Sequence, residues 1–329
     1  MRTDSMAPLA QAKSPRKGLS KVNYNRYGYI FVLPFVVVFT IFQLYPILFT
    51  FRTSLSDAVG WEKINSSVIV GIDNYRQFFT PGSVVYKEFW ATFTNTLLIW
   101  IVNFVPQIVM ALLLANWFTD SRMRLRFQGG FKVIIFMPNI ITAATIAILF
   151  LSLFGYPVAP VNTLLQQTGI LSLPFEFLRD VPASRGIISF IQFWMWYGNT
   201  MIILVAGMLG IDTTLFEAGL VDGCTSRNLF WKITMPLIKP ILLYTLVTSM
   251  IGGLQMFDIP HLLTQGNPNG TTNTVARFIY NQAFTGSRNF NNASAASVIL
   301  FALIVVASLI MFLLMRDRDH TTSVRRGAK

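Results

Sequence analysis

Charge is scarce in this chain. Only 12% of its 329 residues are Asp, Glu, Lys or Arg, against roughly 25% in a soluble domain. Cysteine occurs once, at Cys224, which excludes an intrachain disulfide. Histidine occurs only at His261 and His320, too little to build a structural zinc site. The dipeptide Gly-Lys is absent, so no G-x-x-x-x-G-K-[ST] phosphate loop exists, and any ATP hydrolysis falls to another chain. No nucleophile–base pair or metal-ligand cluster stands out, so the residues give no sign of an enzyme.

What fills the chain instead is apolar: 53% of residues are hydrophobic and the mean hydropathy is +0.54. A helix needs about 20 apolar residues to cross a bilayer. Runs that meet this lie near 28–51, 90–117, 131–154, 186–209, 238–258 and 294–315. The expected architecture is therefore an all-α integral membrane domain of six spans over 28–315, flanked by tails 1–27 and 316–329. The first run exceeds a signal-peptide core and no A-x-A-like cleavage site follows, so it is expected to remain as a span.

Basic residues give the orientation. Of the 26 Lys and Arg, 18 lie in segments 1–27, 118–132, 210–240 and 316–329, and 8 in 52–89, 155–185 and 259–293. That asymmetry predicts cytoplasmic termini in a multi-pass membrane protein. The net charge of +12 is then membrane anchoring and calls for no nucleic acid. Trp90 and Trp117 bracket the second run by about 40 Å of helix, the spacing of interfacial aromatic belts. Pro34, Pro46, Pro106 and Pro138 predict bends that neighbouring helices tolerate. The loop 155–185 predicts a short helix near 161–167, and the Asn-, Gly- and Thr-rich loop 259–293 predicts tight turns.

Polar groups inside the spans need partners, because an unsatisfied one costs several kcal/mol in hydrocarbon. Asn139, Thr142, Gln192, Trp194, Tyr197, Asn199, Ser249 and Gln255 are the candidates for a transport path, with Trp196 on another face than Tyr197. The same residues also serve helix packing. Asp258, at the end of a span, is a further candidate, or else a loop cap or ion-pair partner. No basic residue lies deep in a span, which favours a neutral cargo over phosphate esters.

Between the fourth and fifth runs lies Glu217-Ala218-Gly219-Leu220-Val221-Asp222-Gly223-Cys224, followed by Phe230, Ile233, Pro236 and Pro240. Thr214 and Glu217 have the spacing of a capping box, and Gly223 that of a left-handed helix end. A second short helix is expected to run to about Trp231. Helices this short are marginal alone, and Leu215, Phe216, Leu220, Val221, Leu229, Phe230 and Trp231 need a surface, either the protein's own helix ends or a partner.

This segment resembles the EAA loop of membrane subunits in binding-protein-dependent ABC importers, near E-A-A-x-x-D-G-A followed by F, I, L-P and P. Gly219, Cys224 and Met235 depart from it. Gly71-Ile72-Asp73-Asn74-Tyr75, Asn95-Thr96-Leu97, Phe257-Asp258, Leu263-Thr264 and Ala293-Ser294-Ala295-Ala296-Ser297 resemble the carbohydrate-uptake branch, of the MalF type. The resemblance covers about 28–315. It implies a type I importer permease, with Glu217, Ala218, Gly219, Asp222 and Gly223 in an ATPase-coupling helix. It also implies a heterodimer with a second permease subunit, two ATPase subunits that bind ATP and Mg, and an extracytoplasmic solute-binding protein delivering a sugar or oligosaccharide. Alternatives are another solute such as glycerol phosphate, or an ion-coupled secondary carrier, which would need paired ionisable residues inside the bundle.

Overall fold

A computed structural model describes residues 25–120, 126–286 and 288–316. The tails 1–24 and 317–329 and the basic segment 121–125 lie outside these residues, and with them most of the expected cytoplasmic charge. Every regular element among the described residues is helical, apart from isolated β-bridges Ser56–Ile69 and Val59–Asn289. The chain divides into two units, one reaching Phe49 and one starting at Thr50.

The first unit holds α1 (Asn25–Phe39), a π-helical turn (Thr40–Leu44) and the beginning of α2 (Tyr45–Ser54). The helical stretch Tyr27–Ser54 has a mean hydropathy of 2.2, and Phe31, Phe35 and Phe42 are exposed. Such a surface belongs in lipid or against another chain.

The second unit begins with two short helices, α3 (Gly60–Lys63) and α4 (Asp73–Phe79), and then the 36-residue α5 (Val84–Thr119). Pro106 leaves α5 unbroken. A buried stripe of Asn95, Ile99, Asn103, Gln107, Ala111 and Ala115 repeats every four residues along it, as one face of a helix must. That face packs on α9 (Val181–Leu209).

The sequence predicts a span over 131–154 with a bend at Pro138. The structure bends by 89° just beyond that proline, between α6 (Gln128–Ile140) and α7 (Ala143–Phe154). Ile141 is extended, and Thr142 caps α7, its hydroxyl accepting from the Thr145 N–H at 3.3 Å. The backbone of α6 rests directly on α9 at Gly198, where an added Cβ would lie 2.2 Å from the Ile135 carbonyl oxygen. Asn139 reinforces the contact, donating to the Met195 carbonyl at 3.2 Å. The expected short loop helix is α8 (Pro160–Gln167).

After α9 come α10 (Thr213–Val221), α11 (Ser226–Leu229), a π-turn (Phe230–Thr234), α12 (Met235–Leu237) and α13 (Lys239–Leu254), with a 72° bend at Ile238. The chain closes with a π-turn (Pro260–Thr264), α14 (Val275–Phe284) and α15 (Phe290–Met315). Among the described residues, four helices are long and apolar enough to cross a bilayer, or up to six if each bent pair forms one span.

The loop after α13 is stitched to the ends of α5 and α9. Asn95 donates to the Gly270 carbonyl at 2.9 Å and accepts from Arg185, which also donates to the Thr271 carbonyl at 2.9 Å. Thr96 accepts from the Val275 N–H at 3.0 Å. Nearby, His261 packs against the rings of Phe257 and Tyr280, 4.6 and 5.0 Å away by centroid. Burial, and then the positive charge of Arg277, push its imidazole below the ordinary value, with Asp258 opposing.

Two outcomes follow from these contacts. Gly198→Ala forces α6 off α9, so it should lower the stability of the detergent-purified protein by about 1–3 kcal/mol, read as a reduced melting temperature. For His261, the unfolded chain binds a proton at a higher pH than the folded one. Stability is therefore complete above the unfolded value, about pH 6.5, and falls as pH drops toward the depressed folded value. His261→Gln should flatten the pH dependence of melting over that window; an unaltered slope would assign it to other groups.

Candidate functional site

The elbow between α9 and α13 is built from local rules. Asp212, directly before α10, accepts from the Thr214 N–H at 3.0 Å. This corrects the expected capping box. Thr214 is the second helical residue, so the cap role passes to Asp212, whose carboxyl the Thr214 backbone and side chain hold below the usual value. At the other end Gly223 has φ +76°, its N–H bonds the Leu220 carbonyl, and the Cys224 N–H bonds the Gly219 carbonyl at 2.9 Å. This is a Schellman ending, which needs a left-handed residue at Gly223.

Thr225 caps α11, and the α-helix stops at Leu229. The expected continuation to Trp231 is a π-turn instead, in which the Thr234 hydroxyl bonds the Leu229 carbonyl five residues back. Gly219 is buried against Leu229 and Ile233, with an added Cβ 2.7 Å from Leu229 Cδ2. Glu217, Ala218, Asp222 and Gly223 stay exposed, and Val221 and Trp231 are 88% and 59% exposed. Cys224 is half-buried at the corner. A cavity of about 300 Å³ under α10 is lined by Asn116, Met208, Phe216, Glu217 and Phe230.

A second cavity, of about 150 Å³, lies where α5, α9 and α13 meet. Its wall holds Gln192, Asn199 and Ser249 from the sequence candidates, together with Asn103, Gln107, Trp196, Thr200, Thr245 and Thr248. Among the described residues, none that lines it carries a formal charge. Gln107 donates to Thr200 at 2.8 Å and accepts from Ser249 at 3.2 Å, linking the three helices. Asn103 and Gln107 escaped the sequence reading, although they continue the four-residue repeat that starts at Asn95.

The other candidates lie outside this lining. Asn139 bonds α9 and Thr142 caps α7. Trp194 packs beside Phe150, and Tyr197 stacks on Phe193 at 5.3 Å. Gln255 ends α13, and Asp258 is exposed next to it.

Membrane-length helices around an uncharged polar cavity, joined to an exposed elbow, define a permease. The model of the family described as the binding-protein-dependent transport system inner membrane component matches residues 79–318. The chain belongs to that family. It is 32% identical over 313 residues to the lactose transport system permease protein LacF of Rhizobium radiobacter, covering 93% of this chain and 99% of that protein. It is 27% identical to the arabinooligosaccharides transport system permease protein AraP of Bacillus subtilis, covering 94% and 95%. A bacterial ABC transporter that imports the acidic polysaccharide alginate has a chain of the same fold, with TM-score 0.74, 22% identity, and coverage of 89% and 96%.

The packing around Gly219 separates two substitutions. Gly219→Ala displaces only the flexible tips of Leu229 and Ile233, a cost that a helix-propensity gain of about 1 kcal/mol offsets, so its melting temperature should stay near that of the parent. Gly219→Leu has no room and should open the elbow, seen as faster protease cleavage between α10 and α11.

Proposed function

We propose that this chain is the permease subunit of an ATP-driven importer for a neutral sugar or oligosaccharide. The observation that carries this reading is the cavity between α5, α9 and α13, whose amides, hydroxyls and one indole include no formal charge. Amides and hydroxyls match sugar hydroxyls, and an aromatic face such as that of Trp196 packs on apolar ring faces. An anionic cargo such as glycerol phosphate would call for a cation in the wall, and an ion-coupled carrier for ionisable groups there. Relatives named for lactose and arabinooligosaccharide transport support the same cargo class.

At about 150 Å³ the cavity is smaller than the roughly 300–1,000 Å³ of ligand pockets, so passage requires the helices to part. In this reading Gln192, Asn199 and Ser249 contact cargo. Asn139, Thr142, Trp194 and Tyr197 hold helices together, and Gln255 and Asp258 stand at the mouth. The elbow supplies the drive. Glu217, Ala218, Gly219, Asp222 and Gly223 form a coupling helix that seats in an ATPase subunit, one of two that bind ATP and Mg. Its exposed apolar residues are supplied with a partner by that docking, and both termini then lie on the same, cytoplasmic side. A second permease subunit completes the path, and an extracytoplasmic binding protein delivers the sugar.

The complex that co-purifies with this chain should hydrolyse ATP faster when binding protein and sugar are added. Glu217→Lys should keep the chain in the membrane, lower sugar uptake by tenfold or more, and leave ATP hydrolysis running without sugar. Wild-type uptake by Glu217→Lys and by Gly223→Trp would remove the coupling role from the elbow.

A further inference from the structure

The hydrogen bonds in the cavity wall run in one direction, and that direction is set by a backbone group. The Trp196 carbonyl can only accept, and the Thr200 hydroxyl donates to it at 3.1 Å. A hydroxyl has one hydrogen, so Thr200 can then only accept from Gln107, which meets it at 2.8 Å. Gln107 must therefore turn its amide nitrogen toward α9. Its amide oxygen is left facing α13, where it accepts from Ser249 at 3.2 Å. Gln107 is 4% exposed and Thr200 3% exposed, so water cannot rewrite this order from behind. Ser249, half-buried, stands last in the chain and lines the cavity.

Ser249 has thus committed its only hydrogen to Gln107 and presents only lone pairs to the cavity. We infer that Gln107 is a specificity-determining positioning residue: it fixes Ser249 as a hydrogen-bond acceptor, so the cavity wall at that point selects a cargo hydroxyl that donates. Gln107 lines the wall, but its amide nitrogen and oxygen both already have partners within the bundle. It acts through Ser249 by fixing which way that hydroxyl points. The inference rests on the cavity being the sugar path, and it adds a polarity to one point of that path. A cargo with an ether or a missing hydroxyl at that position leaves the Ser249 lone pairs without a donor.

The test uses the assembled transporter in proteoliposomes with its binding protein, offered lactose, maltose, trehalose and arabinooligosaccharides. If none is taken up by the wild type, the sugar reading itself fails. With a transported sugar in hand, its mono-O-methyl and monodeoxy analogues are compared as competitors, and inhibition constants are taken as ratios to the parent sugar. The wild type should disfavour one methylated position by about tenfold, the scale of a single lost hydrogen bond. Gln107→Leu should bring that one ratio close to unity and leave the ratios at other positions as they were. Ser249→Ala should do the same, and the double substitution should add nothing. Should Gln107→Leu fail to assemble, Thr200→Val breaks the chain one link earlier and is read in the same way. A uniform fall in uptake for every analogue, with all ratios unchanged, would make Gln107 a packing residue and overturn the inference.

Discussion

In hydrocarbon, an amide or hydroxyl must find its partner within the protein. That constraint organises the second unit. The polar stripe of α5 meets it at two levels. Near one end Asn95 receives Arg185 and grips the loop at Gly270, which turns a flexible, glycine-rich segment into a fixed cover. Deeper in the bundle Gln107 binds α9 and α13 together. Between them, Ile99 and Asn103 keep the stripe on the same helical face, so a single repeat in one helix anchors both the loop and the cavity.

The second organising device is the close approach of backbones where glycine replaces a side chain. Gly198 lets α6 lie on α9, and Gly219 lets α10 fold against the π-turn. The two contacts sit at either end of the path from elbow to cavity. α13 then continues from the elbow into the wall that carries Ser249. α10 is thus joined to the cavity wall along the chain, through the left-handed ending at Gly223, the π-turn and the 72° bend at Ile238.

Much of this was legible from residue order. Apolar runs gave the positions of the long helices, since nothing else in the chain could bury so much apolar surface. Gly223 gave the end of α10, because the left-handed conformation penalises any Cβ there. The bend of this span is legible from Pro138, but its place is not: Pro138 lies inside α6, and the chain turns three residues later, at residues that are ordinary helix and strand formers. The helix cap was misplaced by two residues because Asp212 and Thr214 are both capable caps, and only the backbone decides between them. Polarity within single spans points equally to Tyr197 and Thr142, which stack on Phe193 and cap α7. Asn103 and Gln107 required following one face along the whole of α5. The pattern was present, but the partners that give it meaning, Thr200 and Ser249, are distant in sequence.

The lone thiol at the corner of the elbow has a practical side. Cys224 is half-buried where α10 turns into α11, and no other cysteine competes for reagent. A single fluorophore or spin label can therefore be attached at the joint of the native polypeptide without engineering, giving a spectroscopic reporter of its environment through a working cycle.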